Sequence, residues 1–182
     1  MVEIHSVALQ SCVEFVLRMD AGAASFVNPF CRNRVFDMVM PLVTLFGDGL
    51  VLAVVWIGLY IRGDGPTRRA ASLGMQALII LGLAAQIAKW LVGRERPLGG
   101  SFDSFPSGHT TEAFSAALVL GDRWRKLRVV LLALAILVAF SRVYLMAHYL
   151  SDVAAGAALG AGGAALLLWA ARRTSPKPDR NL

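Results

Sequence analysis

The sequence predicts an all-α membrane protein, a polytopic helix bundle with about five transmembrane spans and an N-terminal amphipathic helix. Of its 182 residues, 57% are hydrophobic and only 16% are charged, which is far more apolar than a soluble domain. The basic residues lie scattered at the ends of apolar runs, as in helices that cross a bilayer. The net charge of +6 does not indicate nucleic-acid binding, because the basic residues form no polar face with interleaved aromatic side chains.

The first segment, residues 1–34, contains no long apolar run, because Glu14, Arg18 and Asp20 interrupt it. It also lacks the basic start, compact apolar core and small-residue cleavage site of a signal peptide. Apolar residues lie among polar ones between positions 8 and 17, which favours an amphipathic helix in the membrane interface. The sequence leaves open a short helix buried against the other spans, and a sixth span over residues 8–27.

Five apolar stretches within residues 35–171 are predicted to form the membrane-embedded catalytic bundle. They cover residues 37–61, 70–92, 110–120, 129–145 and 153–171. The third is too short to cross a ~30 Å hydrocarbon layer alone, so its helix either continues through Asp122 to Trp124 or begins in a polar pocket below the interface. In the fifth stretch Gly156, Gly160 and Ala164 recur every four residues, which allows close helix packing in lipid.

The distribution of Lys and Arg predicts the orientation of the bundle. The loop after the first span, the loop between the third and fourth spans, and the tail over residues 172–182 share one side and are rich in basic residues. By the positive-inside rule this side is cytoplasmic. The outer side then receives residues 93–108 and 142–152, where most other polar residues of the helical region lie.

One carboxylate interrupts the first span, within Gly47-Asp48-Gly49. A charge inside the membrane is costly unless it faces protein or water, so Asp48 is a candidate functional residue. Alternatively, Pro41 and the two glycines delay the start of the helix, and Asp48 lies near the interface. The sequence does not separate these two interpretations.

Several spans bring positive groups to the outer side. Lys89 and Arg96 are seven residues apart, about two helical turns, so both cations can reach one pocket. Pro106-Ser107-Gly108-His109 begins the third span, with Ser107 as a natural N-cap and Gly108 allowing an anion to approach the free N–H groups. Arg142 lies near the end of the fourth span. These groups match a tetrahedral oxyanion.

Two histidines complete the predicted site. His109 lies at the rim of the anion site, and His148 precedes Asp152 by four residues, which would place both on one helix face. A histidine beside a carboxylate is oriented as a nucleophile or base, and a second histidine can protonate a leaving oxygen. No Cys/His cluster has metal-ligand spacing, so the cations would have to neutralise a phosphoryl group. The pattern predicts phosphoryl transfer through a phosphohistidine.

These residues resemble the signature of the type 2 phosphatidic acid phosphatase superfamily, also called lipid phosphate phosphatases. The signature is Lys, six residues, Arg-Pro; then Pro-Ser-Gly-His; then Ser-Arg, five residues, His, three residues, Asp. The chain carries all three parts in order between Lys89 and Asp152. The resemblance implies that His148 is the nucleophile, Asp152 its orienting partner and His109 the acid. It also implies that no metal cofactor is used, and that phosphate is bound by Lys89, Arg96, Ser107, Gly108 and Arg142.

The resemblance to small bacterial members further implies a multi-pass protein of the bacterial inner membrane, with an outward-facing site and a lipid phosphate substrate. Undecaprenyl diphosphate is the first expected substrate. Phosphatidylglycerol phosphate, phosphatidic acid and lipid A phosphates remain open, as does phosphoryl transfer to another lipid. A membrane protein that only binds or transports phosphate lipids is the alternative from another class, and the sequence does not predict an oligomeric state.

Overall fold

The computed structural model describes residues 2–27 and 31–174, without the side chains of residues 2–10, 12, 13 and 24. Within these ranges the chain forms seven α-helices and two short 3₁₀ turns, and it contains no β-strand. The predicted all-α fold is therefore confirmed. The helices are α1 (Val2–Phe26), α2 (Arg34–Val43), α3 (Gly49–Arg62), α4 (Gly65–Val92), α5 (Gly108–Arg123), α6 (Arg128–Tyr144) and α7 (Leu150–Thr174).

Fewer segments than expected are long and apolar enough to cross a membrane by themselves. Three segments of the described chain meet this condition: Gly65–Val92, Arg125–Tyr144 and Leu150–Thr174. A fourth span forms if Arg34–Gly47 and Gly49–Arg62, which meet at a bend of 53°, are counted as one broken span. The bend falls at the predicted interruption around Asp48.

The remaining predicted span is α5, which has 16 residues and is therefore about 24 Å long. It continues through Asp122 to Arg123, which agrees with the interpretation that the helix extends beyond the apolar stretch. Helix α5 lies in contact with α4, α6 and α7, so it forms the centre of the bundle. Its buried residues are mostly small or polar: Thr110, Thr111, Glu112, Ala113, Ser115, Ala116, Ala117, Val119 and Gly121.

The glycines of α7 bring this helix into direct contact with the backbone of α5. A Cβ atom on Gly160 would lie 2.2 Å from the carbonyl oxygen of Thr111, and one on Gly156 would lie 2.6 Å from that of Ser107. The predicted small-residue packing face is confirmed. As a result, the beginning of α5 is held against the first turn of α7, where the backbone N–H of Ser107 donates to the carbonyl of Asp152 at 3.0 Å.

Polar contacts join α4, α5 and α7 at the opposite end of the bundle. The guanidinium of Arg123 donates to the hydroxyl of Thr67 at 3.1 Å and to Asp64 Oδ2 at 3.2 Å, and Arg172 forms an ion pair with Asp122. The basic loops therefore share one end, as predicted, and the Pro-Ser-Gly-His motif lies at the other. Which end faces the cytoplasm stays a prediction.

The structure describes the two terminal segments only in part. Helix α1 contacts α6 and α7, and much of its apolar surface is exposed, including Phe15, Leu17 and Phe26. Whether α1 lies on the membrane or crosses it stays a prediction. At the other end, α7 continues past the predicted boundary to Thr174, and residues 175–182 of the predicted basic tail lie outside the described residues.

Candidate active site

The Pro-Ser-Gly-His motif forms the buried start of α5. Ser107 occupies the N-cap position and has no exposed surface. Its hydroxyl makes no capping hydrogen bond and instead accepts one from Thr110 Oγ1 at 3.0 Å, so the expected side-chain cap is wrong although the position is right. A Cβ atom on Gly108 would meet no heavy atom within 4 Å. The first N–H groups of the helix are therefore open to an approaching anion.

Arg142 presents a buried guanidinium from the last turn of α6. Its NH1 donates to the hydroxyl of Thr44 at 2.8 Å, and Thr44 belongs to the 3₁₀ turn between α2 and α3. The Nε atom of Arg142 is buried and has no hydrogen-bond partner among the described residues. A buried N–H without a partner is costly. This geometry is the one expected of an arginine that binds an anion.

Lys89 and Arg96 both contact Asp103, which was not among the predicted site residues. Helix α4 ends at Val92 with Gly93 in the left-handed conformation, at φ 55°, so Arg96 lies in the following loop and the two-turn helical interpretation is wrong. The carboxylate of Asp103 accepts from Arg96 Nε and NH2 at 2.8 and 2.7 Å, and its Oδ2 lies 4.0 Å from Lys89 Nζ. Lys89 also donates to the carbonyl of Asp103. The hydrogen bonds from Arg96 lower the pKa of Asp103 to about 2, so this carboxylate is ionised at neutral pH.

His148 lies two residues before the start of α7, so the prediction that it shares one helix face with Asp152 is wrong. Only 3% of its surface is exposed. Its Nδ1 is 2.7 Å from the carbonyl oxygen of Ser104. Because a carbonyl can only accept, Nδ1 carries the proton and Nε2 has the free lone pair in the neutral ring. Burial, together with the nearby charges of Arg142 and Lys89, lowers the pKa of His148 below its usual value. The ring is therefore neutral at pH 7.

Asp152, the expected partner of His148, lies too far from the ring to form a hydrogen bond with it. Its Oδ2 lies 3.8 Å from His148 Nδ1, beyond hydrogen-bonding distance. That oxygen accepts from Ser104 Oγ at 2.5 Å and from the Tyr149 backbone at 2.9 Å, whereas Oδ1 accepts from Arg94 NH1 at 2.7 Å. Asp152 is fully buried. It thus supplies a fixed negative charge beside the ring and holds the loop residue that orients it.

His109 lies in the first turn of α5, and its side chain is 32% exposed. Its Nε2 is 3.9 Å from Asp48 Oδ2. The other carboxylate oxygen of Asp48 caps α3, accepting from Leu50 and Val51 at 2.9 and 3.1 Å. A Cβ atom on Gly47 would lie 2.5 Å from the carbonyl oxygen of His109, so this bend packs directly on the start of α5. Asp48 therefore caps a helix and also faces a site histidine. Pro41 does not delay a helix start, because it lies inside α2.

The predicted residues converge at one end of the bundle. Ser104 joins His148 to Asp152, and the carbonyl of Asp152 accepts from the N–H of Ser107 at the start of α5. The carbonyl of Arg142 accepts from the N–H of His148 at 3.3 Å, and Asp103 joins Arg96 to Lys89. Among the described residues, no group of three or more His, Cys, Asp or Glu side chains is arranged to hold a metal ion. The result is a group of three cations and two imidazoles around a helix N-terminus, called the pocket below, whose chemistry suits attack on a phosphate ester and protonation of its leaving group.

Sequence reasoning missed the residues that support this pocket: Asp20, Thr44, Arg94, Asp103 and Ser104. Four of the five side chains hydrogen-bond to a predicted site residue, and Asp20 reaches the site through Arg94. None lies in a matched motif position, and no periodicity marks them. Only the clustering of polar residues between α4 and α5 could have indicated the three that lie in that loop.

Comparisons with known proteins place this chain among membrane phosphatases of one family. A family model described as the PAP2 superfamily matches residues 71–176. The lipid A 1-phosphatase of Rhizobium etli is 34% identical over 191 residues, which cover 87% of this chain and 78% of that protein. The crystal structure of Aquifex aeolicus LpxE superimposes with a TM-score of 0.73 at 24% identity, covering 82% of this chain and 94% of that one. A PAP2 type phosphatidylglycerolphosphate phosphatase from Bacillus subtilis gives a TM-score of 0.70 at 24% identity, covering 97% and 92%.

Proposed function

The chain belongs to the PAP2 superfamily and is a membrane lipid phosphatase, and we propose that it removes the 1-phosphate of lipid A through a phosphohistidine on His148. Support for this substrate comes from the Rhizobium etli relative, which carries the name lipid A 1-phosphatase and matches most of both chains. Undecaprenyl diphosphate, the substrate first expected from the sequence, has no support of this kind and serves as the comparison substrate in the test below.

The neutral, buried ring of His148 carries the proposed mechanism, because its proton is fixed on Nδ1 by the carbonyl of Ser104, 2.7 Å away. This leaves Nε2 as the nucleophile. The phosphate oxygens are held by Lys89, Arg96 and Arg142, and by the N–H groups at the start of α5. These charges neutralise the transferred phosphoryl group, so the reaction needs no metal cofactor.

In the first step, the lone pair of His148 Nε2 attacks phosphorus, and the bond from phosphorus to the lipid oxygen breaks. His109 gives its proton to that leaving oxygen, and its Nε2 lies 3.9 Å from the carboxylate of Asp48. The charge of Asp152 stabilises the positive charge that develops on the His148 ring. In the second step, His109 takes a proton from water, which attacks the phosphohistidine and releases inorganic phosphate.

Exposed apolar residues beside the pocket support a lipid substrate. Leu98 and Phe102 lie in the loop that carries Arg96 and Asp103, and they are 75% and 66% exposed. At the end of α4, next to Lys89, Trp90 is 82% exposed. Side chains of this kind stabilise contact with the bilayer. A lipid can therefore place its phosphate in the pocket while its acyl chains remain in the membrane.

The test is release of inorganic phosphate by purified protein in EDTA, with lipid A, undecaprenyl diphosphate, phosphatidylglycerol phosphate and phosphatidic acid as separate substrates. We expect the highest kcat/KM with lipid A, and complete loss of activity in His148→Ala but not in His5→Ala. Preference for another lipid would overturn the substrate, and unchanged release in His148→Ala would overturn the mechanism. If a second lipid acceptor gained the phosphoryl group in place of water, the protein would be a phosphotransferase. Binding without turnover would make it a phosphate-lipid binding protein.

A further inference from the structure

A buried acidic residue of α1 is connected to the proposed active site by short hydrogen bonds. Only 3% of the surface of Asp20 is exposed. Its carboxylate accepts from Arg94 NH2 at 2.7 Å, from the backbone N–H of Ser151 at 2.8 Å and from the hydroxyl of Ser151 at 2.7 Å. Arg94 NH1 in turn donates to Asp152 Oδ1 at 2.7 Å and to Ser151 Oγ at 2.6 Å. Arg94 therefore lies between two carboxylates, those of Asp20 and Asp152, and the second of these lies beside His148.

We propose that Asp20 is a positioning residue for catalysis, which acts through Arg94 and the first turn of α7 to fix Asp152 beside His148. This inference rests on the proposed role of His148 as the nucleophile. Asp20 would not touch the substrate, and its contribution would come from the placement and charge of the residues that it holds.

The contacts of Asp20 are directed at the site and not at the general packing of α1. Neighbouring apolar residues of the same helix, Phe15, Leu17 and Met19, are 64%, 55% and 49% exposed. A buried carboxylate is costly unless it is paired and hydrogen-bonded, and Asp20 satisfies this condition with an arginine and with an N–H at the start of α7. A negative charge is favourable at that end of a helix.

The charge of Arg94 is shared between two carboxylates. Burial alone would lower the pKa of Arg94, but the hydrogen bond to Asp20 and the charge of Asp152 raise it above its usual value. The guanidinium also lies 4.0 Å above the ring of Tyr149, which adds a cation–π contact. If Asp20 became neutral, the full charge of Arg94 would act on Asp152, and Asp152 would stabilise a positive ring on His148 less well.

Charged and titratable groups from four helices influence the protonation of His148. The electrostatic effect of Asp20 therefore has to be separated from the effects of these groups. Asp152 from α7 favours the protonated ring, whereas Arg142 from α6 and Lys89 from α4 oppose it, and His109 from α5 also lies within electrostatic range. None of these four would be altered in an Asp20 variant. A change in the titration of His148 would then report the connection through Arg94.

The experiment compares wild-type protein with Asp20→Asn, in which the side chain keeps its shape and loses its charge. Removal of a carboxylate that orients a metal-bound histidine lowers activity about 10- to 100-fold. Because Asp20 also acts by orienting other groups, we expect kcat to fall by an amount at the lower end of this range, with KM unchanged. The acid limb of the kcat/KM profile should move to lower pH, because the protonated ring is less stabilised. The readouts are kcat, KM and the pH profile of phosphate release, with Tm measured in the same detergent.

The matched control is Asp37→Asn, because Asp37 attaches the peripheral helix α2 to α6 by accepting from the Tyr144 hydroxyl at 2.7 Å. It should leave the acid limb in place. If Asp20→Asn lowered Tm and the active fraction but left kcat per active molecule and the acid limb unchanged, Asp20 would be an anchor for α1 only, and the proposal would be wrong. If that variant did not fold, Ser151→Ala would decide: a smaller shift in the same direction supports the proposal, and an unshifted limb overturns it.

The two proposals fail in different ways. A wild-type protein without His148-dependent phosphate release would contradict the proposed function, and with it this inference. An active wild type with an inactive His148→Ala variant, combined with an unshifted profile in Asp20→Asn, would contradict the inference alone.

Discussion

The Nδ1 atom of His148 and the carbonyl oxygen of Ser104 lie 2.7 Å apart, so the backbone of a loop fixes the tautomer of the proposed nucleophile. The same serine donates its hydroxyl to Asp152 at 2.5 Å, and its N–H donates to the carbonyl of Arg94 at 2.9 Å. Ser104 is fully buried. The loop between α4 and α5 therefore contributes to the candidate active site and is not only a connection between helices.

The tautomer and burial of His148 predict the pH dependence of the reaction. Because the pKa of the folded-state ring is lowered from 6.5, the ring stays neutral until the pH falls below that value. Only the neutral ring can attack phosphorus, so activity should be lost as the pH falls through this lowered pKa. We expect the acid limb of kcat/KM, measured with a soluble short-chain substrate, to lie below pH 6.5. A limb at or above that value would contradict the proposed state of His148.

The proposed role of His109 can be tested with leaving groups of different quality. General acid catalysis contributes about 10²- to 10⁴-fold, and a good leaving group needs little of it. In His109→Gln, turnover of an alkyl lipid phosphate should fall within this range, whereas turnover of an aryl phosphate such as p-nitrophenyl phosphate should fall much less. Equal losses for both substrates would show that His109 does not protonate the leaving oxygen.

The contact between α5 and α7 should be sensitive to a single methyl group. In Gly160→Ala, the new Cβ would lie 2.2 Å from the carbonyl oxygen of Thr111, and overpacking of this kind costs about 1–3 kcal/mol. We expect a lower Tm in detergent and reduced activity. The control is Gly162→Ala on the same helix, where a Cβ would meet no heavy atom within 4 Å. Equal effects of the two substitutions would contradict the close packing of α7 on α5.

The orientation predicted from basic residues can be measured with single cysteines, after Cys12 and Cys31 are replaced. Phe102→Cys lies at the active-site end and Lys126→Cys at the basic end, and both native residues are exposed. On intact cells, an impermeant thiol reagent should label Phe102→Cys but not Lys126→Cys. The opposite pattern would place the active site in the cytoplasm.

The sequence predicted the fold class and the position of the site more completely than the bend in the first span or the hydrogen bonds of the site. Long apolar runs correctly indicated helices. The spacing of the glycines in α7 predicted close helix packing, and α7 does pack closely on α5. Helix α5, with 16 residues, is shorter than a typical span, and the bend of 53° at Asp48 divides the first predicted span into two helices.

Within the site, motif spacing identified the residues that converge at one end but not how they are held. Arg96 was expected on the same helix as Lys89, yet Gly93 ends that helix and Asp103 joins the two cations from the loop. Asp20 lies 74 residues from Arg94 in sequence, and no local pattern can report such a distant contact. Side chains that support a site from loops and from other helices become visible only in three dimensions.

The most direct test of the account is isolation of the phosphorylated enzyme. Wild-type protein is mixed with ³²P-labelled lipid A and quenched rapidly, and the label on the protein is tested for the acid lability and alkali stability of a phosphohistidine. We expect a label that maps to the peptide containing His148 and that is absent in His148→Ala. A label that persists in His148→Ala, or rapid hydrolysis in which no phosphorylated protein forms, would contradict His148 as the nucleophile.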